Sequence, residues 1–128
     1  MRHTFKKSER ICSSILIDRL FSGGNTAMSV FPLRAISMVE DSIDDTVPSV
    51  RLLISVPKRH LRHAIERNRM KRQIREAYRL NKQILTEVAQ SKGKNVSLAL
   101  VCISDTLCTT EKVNRSVVKI LTRISEKL

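Results

Sequence analysis

Two apolar runs, residues 50–56 and 96–103, bracket a stretch in which apolar side chains recur at helical spacing, with neither Pro nor Gly between Ala64 and Gln90. An unbroken apolar run suits a strand covered on both faces, whereas a 3.6-residue period marks a helix with one buried side. Strand, long helix and strand in that order predict a β-α-β unit. Pro57 closes the first strand, residues 58–63 form a basic connector, and the helix is expected to begin near Ala64 and run to about Gln90.

The rest of the chain must pack around that unit. Ser8 can cap a helix over residues 8–21, with Ile11, Cys12, Ile15, Leu16 and Leu20 at helical spacing and Ser22-Gly23-Gly24-Asn25 as its stop. Residues 28–39 read as extended; Pro32 lacks a donor, which places it at a strand edge or start. Residues 40–45 carry the one acidic cluster, read as a solvated hairpin loop rather than a metal site. Thr109 or Thr110 caps a last helix whose inner face holds Val113, Val117, Ile120, Leu121 and Ile124. The expected class is α+β, a small sheet packed by helices in the order α-β-β-β-α-β-α, and 128 residues suit a single domain, 1–128.

The central helix carries an electrostatic problem. Its segment AIERNRMKRQIREAYR holds six basic residues against Glu66 and Glu76. Like charges one helical turn apart cost a few tenths of a kcal/mol each. At about 100° per residue, Met70, Ala77, Tyr78, Leu85 and Val88 fall within about 60° of Ile74 and form a core stripe. Asn68, Lys71, Arg72, Arg75, Arg79 and Lys82 fall on an adjacent band, about 60–160° round. Arg67 points near the apolar stripe at the helix start, where it would emerge at the lip of a groove with Lys58, Arg59 and Arg62 beside it. The exposed amides of a helix start favour anions as well. The whole chain has 24 Lys and Arg against 12 Asp and Glu, a formal charge of +12. A polyanion that relieves this repulsion is the expected partner: nucleic acid first, an anionic membrane surface second. The apolar stripe is needed for the core, which argues against membrane insertion.

Other classes have less support. Cys12, Cys102 and Cys108 show no paired spacing, which fits buried thiols in a reducing compartment, and the cytoplasm is the expected location. No apolar run approaches the roughly 20 residues of a membrane span. With 3% aromatic residues and no Trp there is no broad stacking platform. His60 and His63 have a spacing that could hold a metal, but no carboxylate or Cys accompanies them, so no metal site is expected. Asp41, Asp44 and Asp45 share one loop without a matching base, which leaves little basis for a self-sufficient nuclease.

The stretch SVPKRHLRHAIERNRMKRQIREAYR resembles the signature region of the bacterial ribonuclease P protein family. The resemblance rests on Arg67-Asn68-Arg69, Lys71-Arg72 and Arg75-Glu76, the preceding Ser55-Val56 with Lys58-Arg59, and Leu20-Phe21 before a Gly turn. It implies a four-stranded sheet with a left-handed β-α-β crossover, against the general right-handed rule. It further implies a subunit of an endoribonuclease that works with a catalytic RNA to remove 5′ leaders from precursor tRNAs, with no obligate protein partner. Mg²⁺ would be bound at the RNA subunit and none by the protein, which would supply no catalytic residue. By the same resemblance Lys58, Arg59, Arg67, Asn68, Arg69, Lys71, Arg72, Arg75 and Arg79 contact RNA, and Ile17, Phe21, Phe31, Arg34 and Ser55 line a cleft for the leader. The family usually has a Gly in the connector and aromatic rings where this chain has Ile17 and Arg34, so phosphate or shape contacts are favoured over stacking.

A non-catalytic structural RNA-binding protein, such as a ribosomal protein, is the alternative. In either reading, contact with about six phosphates lowers RNA affinity about a thousandfold between about 50 and 200 mM salt. A titration across that range checks this, and a flat response removes the electrostatic account.

Overall fold

The computed structural model describes residues 10, 14–21, 26–41 and 48–128. Helix α1 (Ser14–Phe21) precedes strands β1 (Thr26–Val30), β2 (Leu33–Asp41) and β3 (Val50–Ser55). Helices α2 (Ala64–Asn81) and α3 (Gln83–Ser91), strand β4 (Lys94–Cys102) and helix α4 (Thr110–Lys127) follow. The four strands form one sheet in the order β1-β2-β4-β3. β4 lies between β2, which it meets antiparallel, and β3, which it meets parallel. The predicted β-α-β unit is therefore present, with α2 and α3 as its crossover.

Alternation along the strands assigns the two sheet faces. Leu33 and Ala35 of β2, Val50 and Leu52 of β3, and Val96, Leu98, Leu100 and Cys102 of β4 enter one large core. Met70, Ile74 and Tyr78 of α2, Leu85 and Ala89 of α3, and Val113, Val117, Ile120, Leu121 and Ile124 of α4 close it. Leu20 of α1 meets Ala99 in a smaller cluster, flanked by Ile17, Ile36, Met38 and Leu53. β4 is thus covered on both faces, as its unbroken apolar run demanded. Thr109 caps α4 by accepting from the Lys112 amide. Gly93, at φ +63°, turns the chain from α3 into β4 in a conformation that L side chains rarely adopt.

Four expectations are corrected. The long helix is two: α2 stops at Asn81 although neither Pro nor Gly is present. The Asn81 side-chain amide donates to the Ala77 carbonyl at 2.8 Å and to Asn114 Oδ1 of α4 at 2.9 Å, inserting a side-chain donor into the helix ladder. Past that break Leu85 and Ala89 are buried while Val88 is only half-buried. The first helix, expected from Ser8, begins at Ser14 among the described residues, and Arg10 instead makes a parallel bridge to Leu52 on the outer edge of β3. Ser8 and Cys12 lie outside the described residues. The stretch over residues 28–39 is interrupted by a turn at Phe31-Pro32, so it is an antiparallel hairpin. The acidic segment cannot close a hairpin, because β4 separates β2 from β3; residues 42–47 lie outside the description.

Leu100 is wholly buried where β4 meets β2 and β3. Leu100→Ala should cost about 2–5 kcal/mol, read as a lower urea midpoint with an unchanged slope.

Candidate nucleic-acid interface

Helix α2 is oriented by its apolar side: Met70, Ile74 and Tyr78 are fully buried, and Ala77 nearly so. Gln73, not expected in the core, is buried with them, its Nε2 donating to the Cys108 carbonyl at 3.0 Å and to Thr110 Oγ1 at 3.2 Å. That side chain ties α2 to the start of α4. Periodicity gave no sign of it, since polarity alone places Gln outside.

With that side pinned, Asn68, Arg69, Arg72 and Arg75 are exposed and Lys71 is half-buried. No ion pair among the described residues engages Arg69, Lys71, Arg72 or Arg75. Arg69 projects about 60° beyond Arg72 on the helix, so it widens the cationic band rather than joining its centre. Beside it stands Ile65, 84% exposed at the start of the helix, an apolar contact point that the sequence reading passed over.

Two of the expected contacts have structural partners. Arg67 Nη1 donates to the carbonyls of Leu61 (3.0 Å) and Arg62 (2.6 Å), bracing the connector against the helix it leads into. Arg79 makes a two-pronged ion pair with Glu76, with one N–O distance of 3.1 Å. The hydrogen bond from Arg79 holds the Glu76 carboxyl below its ordinary range, and the same bond raises the Arg79 guanidinium. Arg79 therefore belongs to the helix surface before any ligand arrives.

The connector carries Lys58, Arg59 and Arg62, all exposed. His60 Nδ1 lies 2.8 Å from Asp105 Oδ1, linking the connector to the loop after β4, and Arg59 Nε donates to His60 Nε2 at 3.4 Å. His63 is the N-cap of α2 but offers no side-chain acceptor, so the first-turn amides face outward among these cations. Among the described residues no group of three or more His, Cys, Asp or Glu side chains could hold a metal ion.

The leader-cleft residues divide. Strand register places Ser29, Arg34, Val101 and Ser55 in one row across the sheet face that carries α1. The neighbouring row, Ile36, Ala99 and Leu53, lies under α1. Arg34 is exposed and Ser55 half-buried, about 10 Å apart with β4 between them. Ile17 packs in the seam between α1 and the sheet, and Phe21 is 46% exposed at the end of α1. Phe31 does not join them. Its ring lies 4.7 Å from Lys112 Nζ of α4, a helix packed against the opposite sheet face. The hairpin turn at Pro32, invisible as spacing, carries it there. Val101 and Arg51, which also point to the α1 face, were not singled out from the sequence; alternation along the strands is the signal that could have found them.

The row of Arg34 and Ser55 lies at the end of the sheet where β3 passes into the connector, so cleft, connector and start of α2 share one end of the molecule. Across this whole arrangement, residues 5–125 match the ribonuclease P family. The chain belongs to the ribonuclease P protein family. It is 38% identical to the ribonuclease P protein component of Porphyromonas gingivalis over 119 residues, 93% of this chain and 85% of that protein. The protein component of Chlorobium phaeobacteroides is 32% identical over 65% of this chain and 57% of that one. In fold it is similar to the ribonuclease P protein of Staphylococcus aureus, with a TM-score of 0.66, 20% identity and coverage of 94% of this chain and 97% of that one. That of Thermotoga maritima gives a TM-score of 0.65 at 19% identity, covering 90% and 96%. The α+β class and four-stranded sheet expected from the signature are those of the family.

Glu76→Gln should remove the ion pair with Arg79 while leaving the fold intact. The pair's stabilisation should be present above the unfolded-state carboxyl pKa and lost as pH falls through the depressed folded value. Thermal melts of the two proteins should therefore converge in acid.

Proposed function

We propose that this chain is the protein subunit of ribonuclease P, an endoribonuclease whose catalytic centre lies in its RNA. The cationic side of α2 and the connector bind that RNA. The sheet face beside α1 receives the single-stranded 5′ leader of precursor tRNA, and its position favours endonucleolytic removal of the leader. The observation that supports this best is the set Arg69, Lys71, Arg72 and Arg75, without ion-pair partners among the described residues, beside a fully buried stripe in a member of this family.

The chain's own residues bind and orient. Arg72 and Arg75 meet phosphates with planar guanidinium groups suited to two-pronged contact. Asn68 adds a polar contact beside them, and the outward amides at the start of α2 favour an anion at the mouth of the cleft. Arg34 and Ser55 offer a charge and a hydroxyl to the leader backbone, and Phe21, exposed at the end of α1, offers a ring to a base. No side chain here serves as acid, base or nucleophile in this reading. Mg²⁺ held by the RNA subunit would activate water and stabilise the leaving oxygen. Neither a membrane nor a further protein is required, and the cytoplasm is the compartment where this reaction would run.

Reconstitution tests the proposal. Mixed with a bacterial ribonuclease P RNA and a precursor tRNA at low Mg²⁺, the chain should increase 5′ cleavage over RNA alone; no gain rejects the reading, and cleavage by protein alone would make it a nuclease in its own right. Replacing Arg72 and Arg75 together by Ala should weaken RNA binding by about tenfold or more and leave the thermal midpoint nearly unchanged. A large drop in midpoint would make those arginines structural instead.

A further inference from the structure

Helix α4 repeats the design of α2 on a separate surface. Its inner side is consumed by the core: Val113, Val117, Ile120 and Leu121 are fully buried. Lys112, Arg115, Lys119 and Arg123 project from the other side within an arc of about 80°, a cationic stripe about 16 Å long. Glu126, beyond the last of them, is the one carboxylate within that arc among the described residues. Arg115, Lys119 and Arg123 have no ion-pair partner there either. At the head of the stripe Lys112 lies over the Phe31 ring, which is 53% exposed. The β1–β2 turn is held against α4 by Ser116 Oγ, which donates to the Val30 carbonyl at 2.6 Å. An open groove of about 830 Å³ runs along this face, with Val30 and Val118 among its lining.

We propose that this face of α4 is a second RNA contact, taking the backbone of a single-stranded segment along the stripe and a base on Phe31. A row of cations ending at an open aromatic ring is the combination that suits single-stranded nucleic acid, since phosphates want the charge and any base can stack. A lipid surface is disfavoured, because the apolar stripe of α4 is spent in the core. An acidic polypeptide would use the charges and leave the ring idle. This contact is independent of the role proposed for α2: the two faces belong to different helices and can fail separately.

The test measures binding of the full chain to a short oligouridylate, to an RNA duplex of equal length and to polyglutamate. The variant R115Q/K119Q/R123Q should bind oligouridylate about tenfold more weakly and reduce the salt slope by about two, from three lost phosphate contacts at about 0.7 each. The same loss should appear on top of R72A/R75A, and F31A should weaken single-strand binding while sparing the duplex. Unchanged affinity and slope in the triple variant overturn the proposal, as does a loss of duplex or polyglutamate binding in that variant equal to or larger than its loss of oligouridylate binding. Should the triple variant fail to fold, the single changes R115Q, K119Q and R123Q carry the same comparison, each lowering the slope by a fraction of one unit.

Discussion

The seating of α2 decides most of what this protein can do. Met70, Ile74 and Tyr78 have no solvent exposure, and they pack with β-strand residues such as Leu98 and Leu100 on one side and α4 on another. A helix held that way cannot rotate: turning it by one residue, about 100°, would drive Lys71 or Arg75 toward the core, where an unpaired charge costs several kcal/mol. Exposure of the cationic side is therefore a consequence of apolar packing. The same logic applies to α4, whose inner side is committed to the same core.

Some of the cations are paired within the fold. Arg19 meets Glu40 at 3.4 Å across the α1 face, and Lys94 bonds Asp41 where β4 and β2 pair, depressing the Asp41 carboxyl through that hydrogen bond. Glu76 occupies Arg79. These exposed pairs contribute little to stability. Among the described residues, α2, the connector and α4 each keep several cations outside any ion pair. A polyanion would relieve the repulsion among them.

Several polar groups near the interface serve the scaffold instead. Arg67 grips the connector carbonyls, His60 reaches Asp105, and Gln73 reaches the Cys108 carbonyl and Thr110. Together they fix the loops on either side of the start of α2, where an RNA chain and a leader would meet. Cys102, buried at the end of β4, has its thiol pushed up by burial and behaves as a small apolar filler.

Local pattern was enough to recover the α+β class, the strands expected over 50–56 and 96–103 and found at 50–55 and 94–102, the cap and inner face of α4, and the separation of α2 into a buried side and a cationic side. Each of these follows from periodicity and capping, which act over one or two helical turns. Contacts between distant residues decided the rest. The partner of Asn81 is 33 residues away on α4, and no local signal predicts the break it accompanies. Insertion of β4 between β2 and β3 comes from pairing across the chain, and it is this register that puts Arg34 and Ser55 in one row. Phe31 could be recognised as an aromatic residue near a turn, but only the docking of that turn on Ser116 sent it to α4. Side-chain type and spacing are written locally, whereas the neighbour across a sheet or between helices is chosen by the packing of the whole core.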